Sequence, residues 1–306
     1  MFNFWLMGKS FKNNHKPSVS QLVGFVKDSY LDRTSRPIYA LAYLLLFLIV
    51  YEVGTIAFNP EILTRSLTET KVVVSFVWGQ NLLKFLGFSE KMTWIATPLA
   101  IVVILLALQM TSKTSWRVRF KDFGPMSIEC VLLAVPLIVL SLGFNRSVSH
   151  TRQVSGNYQH SIAQTEADYL SAQTFSEDSQ QPAESPLLVD IVTGIGAGIY
   201  EEFVFRLILI CLLMLLFQDM IGISWQSSVI LSVSIAAILF SVHHHIFFVN
   251  GQFQTGEPFT FSKFIFRTLA GVYFAIVFAI RGFGITAGSH VFYNIIAAVL
   301  NASLLS

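Results

Sequence analysis

Hydrophobic positions in this chain gather into long continuous runs rather than helical stripes or alternating strands. Apolar runs extend from Pro37 to Phe58, Met92 to Met110, Met126 to Phe144, Leu187 to Phe217, Gln226 to Val249, Phe261 to Ile280 and Phe283 to Leu304. Each approaches or exceeds the roughly 20 residues a helix needs to cross a bilayer. A helix that is apolar all round belongs in lipid or in a protein core. The pattern therefore predicts an all-α, polytopic transmembrane helix bundle of about seven spans. A further run, residues 72–88, is interrupted by Gln80, Asn81 and Lys84 and predicts an interfacial segment.

The polar stretches between the runs set the orientation. Residues 1–36 carry Lys9, Lys12, Lys16, Lys27, Arg33 and Arg36. They read as a cytoplasmic or interfacial segment, with Val23-Gly24-Phe25-Val26 suiting an interfacial helix as well as an unstructured arm. A second basic cluster, Lys113, Arg117, Arg119 and Lys121, follows Met110. Basic residues stay on the cytoplasmic side, so an even number of crossings must separate the two clusters. That parity argues against a full span at 72–88. Residues 146–186 are polar, rich in Ser and Gln, and more acidic than basic. This suits a non-cytoplasmic and largely disordered loop. Four segments follow: 1–36, the N-terminal transmembrane helices 37–145, the loop 146–186, and a second helical part 187–306. The C-terminus then falls outside.

Composition narrows the class. Hydrophobic residues make up 54% and charged residues 12% of the 306 positions, against about 25% charged in a soluble domain. The chain reads as a multi-pass integral protein of the cell (plasma) membrane, with the lipid bilayer as its surroundings. A net charge of +2 gives no reason to expect a nucleic-acid partner. Cys130 and Cys211 both lie in apolar runs, and no disulfide or metal-binding spacing exists.

Polar insertions in the C-terminal runs carry the candidate chemistry. The first is Glu201-Glu202 with Arg206, the second Phe240-Ser241-Val242-His243-His244-His245, and the third His290-Val291-Phe292-Tyr293-Asn294. An acidic or basic residue at a membrane-helix centre costs about 2.5 to 3.5 kcal/mol on insertion scales, and its default reading is a functional site. Glu202 and Arg206 are one helical turn apart and can pair, whereas Glu201 is rotated about 100° away. His290 and Asn294 also share a face. Each insertion has a structural explanation of its own: an interfacial histidine, an interhelical amide, or a packing ion pair. Glu52 reads as near-interface, and Gly194 with Gly198 as a close-packing surface. Taken together, structural explanations for all three insertions would leave several polar groups unsatisfied in hydrocarbon.

This set of residues suits hydrolysis. A carboxylate in a low-dielectric site has a raised proton affinity and can act as general base toward water. A histidine can share that proton, while a second histidine and an asparagine can donate to an oxyanion. Ser241 has no independent support as a nucleophile. Two glutamates with histidines also fit zinc by ligand type, although neither a His-Glu-x-x-His sequence nor a Cys cluster occurs.

Glu201-Glu202-x-x-x-Arg206, Phe240-x-x-x-His244 and His290-x-x-x-Asn294, in that order, resemble the CAAX protease and bacteriocin-processing enzyme (CPBP) family. These are glutamic-type intramembrane endopeptidases related to the CAAX prenyl endopeptidase. The likeness covers about residues 187–304 and makes 187–306 the catalytic helices. It implies hydrolysis of a peptide bond in a membrane-associated protein or peptide. By the same resemblance Glu201 with His244 activates water, and His290 with Asn294 stabilises the oxyanion. Glu202 and Arg206 form the supporting ion pair, and Phe240 sets the register that selects His244. No metal or other cofactor is then required. The family also contains bacteriocin-immunity and scaffold proteins, so a non-enzymatic membrane role is one alternative. A metal-dependent membrane protease is the other.

Overall fold

The computed structural model describes residues 25–58, 74–85, 87, 89–154, 187–249, 252–255 and 259–305. The chain enters through a short helix α1 (Tyr30–Thr34), capped by the Ser29 side chain. It continues as α2 (Pro37–Phe58), α3 (Val74–Phe85), α4 (Glu90–Ser112) and α5 (Phe123–Val154). A long composite helix α6 (Leu187–Met220) and α7 (Trp225–Val242) follow. After a hairpin of β1 (Ile246–Val249) and β2 (Gln252–Thr255), the chain ends with α8 (Phe261–Arg281) and α9 (Phe283–Leu305).

Seven of these helices are long and apolar enough to cross a membrane, matching the seven predicted runs. The protein is an integral membrane helix bundle. Helix α3 has 12 residues, about 18 Å of rise, too short to cross. Among the described residues, two helices long and apolar enough to span, α2 and α4, lie between the basic clusters.

Apolar runs become helices here because lipid offers no partner for backbone N–H and C=O groups, and only a helix satisfies them within one segment. Pro98 and Pro136 lie inside α4 and α5 without ending them. The described helical backbone of α5 continues past residue 145 to Val154, beyond the expected start of the polar loop. The rest of that loop, and Val23 and Gly24 of the expected interfacial helix, lie outside the described residues. Phe25 and Val26 precede a turn rather than forming a helix.

One boundary requires correction. The fifth run was expected to remain helical to Val249, but α7 stops at Val242 and His243–His245 form a turn. Ile246–Val249 then pairs antiparallel with Gln252–Thr255, Ile246 opposite Thr255. Three consecutive histidines followed by β-branched and aromatic residues favour leaving the helix here.

The last helix is the most enclosed: 67% of the α9 span window is buried, against 22% for α4 and α5. It packs against α2, α5, α6 and α8. Arg281, at the end of α8, ties α1, α5 and α8 together. It pairs with Glu129 on α5 and donates to the Leu31 carbonyl, Ser35 Oγ (2.9 Å) and Thr34 Oγ1 (2.8 Å). Arg33 reaches both oxygens of Asp122 at 3.0 Å. Gly282, at φ 78°, allows the immediate turn into α9.

Candidate active site

Glycines bring α6 and α9 together. A Cβ on Gly198 would lie 2.7 Å from the backbone nitrogen of Val291, and one on Gly194 would lie 2.9 Å from the Asn294 Cβ. Only residues without side chains permit this approach, which is the small-residue packing expected of Gly194 and Gly198. Asn294 Nδ2 then donates to the Gly194 carbonyl at 2.8 Å. The contact sets Glu201 and Glu202, about one turn further along α6, opposite His290.

Immediately after Glu202 the helix widens into π geometry over Phe203–Ile210, a feature common at functional sites. Arg206 stays within 3.1 Å of Glu202 Oε1. Its guanidinium lies over the Phe240 ring at 4.3 Å and reaches the Gly271 carbonyl at 3.4 Å. Glu202, fully buried, also accepts from His290 Nδ1 at 2.8 Å through the same Oε1. The His290 ring stacks on Phe274 of α8 at 4.6 Å. One carboxylate thus fixes both the arginine and the histidine.

Glu201 faces two imidazoles. Its Oε1 is 3.8 Å from His243 Nε2, and its Oε2 is 3.8 Å from His290 Nε2. Both separations exceed a direct hydrogen bond. The His243 Nδ1 contacts the Phe240 carbonyl, which orients the ring and turns its Nε2 toward Glu201.

The histidine turn separates its three members. The His244 ring lies 4.0 Å from that of His243 and 5.4 Å from Phe240, and its Nε2 is buried without a hydrogen bond among the described residues. His245 faces Phe259 and Phe264 instead. The nearer approach to Glu201 is thus made by His243, one residue before the position the motif register selects. His244 sits in the same cluster: ligand atoms of Glu201, His243 and His244 lie within 4.8 Å of one another, a group that could hold a metal ion. For tetrahedral zinc these donors would have to draw in to about 3.3 Å from each other.

Several participants escaped the sequence reading. The contact of His290 with Glu202 crosses 88 positions and has no local signal. Glu52 accepts from Tyr200, the neighbour of Glu201, at 3.0 Å, so it belongs to the helix packing rather than the interface alone. Arg267 does have a signal: it is a charge inside an apolar run, and in α8 it is 2% exposed.

Residues 183–296 match the family model described as Type II CAAX prenyl endopeptidase Rce1-like. No curated protein and no solved structure matches the chain. The matched stretch contains Glu201, Glu202, Arg206, the histidine turn, His290 and Asn294.

Proposed function

We propose, from the match of residues 183–296 to the Rce1-like CAAX prenyl endopeptidase family model, a glutamic-type intramembrane endopeptidase. Its substrate is a membrane-associated peptide or protein. The observation that carries this reading is the position of Glu201, with one carboxylate oxygen 3.8 Å from His243 and the other 3.8 Å from His290.

Water bound between Glu201 and the His243–His244 turn gives a proton to the Glu201 carboxylate, and its oxygen attacks the scissile carbonyl. The carbonyl π electrons move to oxygen. That oxyanion receives hydrogen bonds from His290 Nε2 and from the second N–H of Asn294, whose first is given to Gly194. Glu202 supports an imidazolium at His290 by accepting from Nδ1, as a carboxylate does behind a catalytic histidine. Arg206 holds Glu202 in place. When the C–N bond breaks, the proton held by Glu201 passes to the leaving amine.

Two other readings compete. Metal-dependent hydrolysis would use the cluster of Glu201, His243 and His244. An immunity or scaffold role would need none of the site. The deciding experiment compares the proteomes of membranes carrying wild-type and Glu201→Gln protein. Membrane proteins whose shortened forms disappear in the variant support the peptidase. Identical proteomes, with the variant fully inserted, would refute it.

A further inference from the structure

We propose that Arg267 is a specificity-determining residue that binds a carboxylate of the substrate. The proposal rests on the peptidase reading above. Arg267, Gly271 and Phe274 follow one another at successive turns on the buried face of α8. That face fronts the site: the Gly271 carbonyl receives Arg206, and Phe274 stacks on His290. Ser241 donates to the Phe264 carbonyl at 2.8 Å, holding the histidine turn against the first turns of α8. Arg267, about one turn after Phe264, therefore lies on the His244 side of the site.

An arginine that is 2% exposed inside a membrane span is costly to keep, and such residues line substrate pathways or pair with one another. The chemistry at Glu201 does not use it, since Glu202 pairs with Arg206 and His290. An ordinary peptide carries negative charge only as carboxylate, at its C-terminus or on Asp and Glu. Such a group approaching the site would be repelled by Glu201, and Arg267 supplies the opposing charge beyond the histidine turn. The planar guanidinium matches a carboxylate in two-point geometry. Its five N–H donors let it hold a partner within the protein and a substrate oxygen at once.

The test uses full-length Glu201→Gln protein in nanodiscs and a randomised nonapeptide library prepared in three forms. One has a free C-terminus and no acidic side chain. The second is its C-terminal amide, and the third is the amide with one Asp or Glu. Bound peptides are quantified by mass spectrometry. We expect one of the two carboxylate-bearing forms to be retained about 10- to 100-fold over the uncharged amide, and the form retained identifies the source. Arg267→Gln in the same background should abolish that preference. Arg267→Lys should keep part of it, and this variant decides the matter should the glutamine form misfold. Equal retention of all forms, retention of none, or an unchanged preference in Arg267→Gln overturns the proposal. Binding is read without cleavage, so a failure of the peptidase reading leaves this result standing. Proteolysis that uses all three forms equally would reject the carboxylate site alone.

Discussion

Glu202 Oε1 accepts from His290 Nδ1 at 2.8 Å, across 88 positions of sequence. The same oxygen holds Arg206 at 3.1 Å. Glu202 therefore serves the ion pair foreseen from its spacing and also orients a histidine on another helix. Glu202→Gln would leave the buried Arg206 charge uncompensated, which costs about 3 to 5 kcal/mol. Thermal unfolding in detergent should show a marked loss of stability, with activity lost alongside. A Glu202→Gln protein as stable and active as wild type would remove this role.

Glu201→Gln should behave differently. The ion pair of Arg206 is made with Glu202, so an amide can occupy the place of Glu201 with little loss of stability. Proteolysis should fall to background while the unfolding temperature stays near that of wild type. Residual cleavage close to wild type would exclude Glu201 as the general base.

The two neighbouring histidines separate in the same assay. His243 approaches Glu201 at 3.8 Å and is oriented by the Phe240 carbonyl. His243→Ala should lower kcat by about 10²- to 10⁴-fold, since His243 and Glu201 together position the attacking water. His244→Ala should cost less. The reverse order would return the register to Phe240-x-x-x-His244.

This register shows where sequence legibility ends. The spans could be read because lipid demands long apolar helices, and Glu202–Arg206 because i,i+4 geometry is local. The choice among His243, His244 and His245 depends on where α7 stops. In a continuing helix, His244 would share a face with Phe240. Because the helix ends at Val242, the backbone turns and His243 points inward instead. The contacts of His290 with Glu202, and of Asn294 with Gly194, depend on how α6 and α9 meet, which no single segment encodes.

That meeting can be tested at Gly198. A Cβ there would lie 2.7 Å from the backbone nitrogen of Val291, which cannot move aside as a flexible side-chain tip could. Gly198→Ala should separate α6 from α9, lowering stability and activity together. Gly124→Ala is the control, since nothing lies within 4 Å of its Cβ position. It should be neutral or slightly stabilising, as for a glycine replaced without strain. Equal tolerance at both positions would argue that the helices do not meet as closely as described.

Chelation separates the two hydrolytic mechanisms. Glu201, His243 and His244 present ligand atoms within 4.8 Å of one another, a donor set that suits zinc by ligand type. In the glutamic mechanism the carboxylate acts as base and His290 with Asn294 serves the oxyanion, leaving no step for a Lewis acid. Cleavage of a substrate found by the membrane comparison should then persist after extended treatment with a strong chelator. Activity lost on chelation and restored by zinc would instead make the three residues ligands. His244→Ala would distinguish these cases further. As a ligand loss it should weaken metal retention, often 10- to 100-fold for even an outer-shell change, whereas in the metal-free mechanism it should alter cleavage without any change in bound metal.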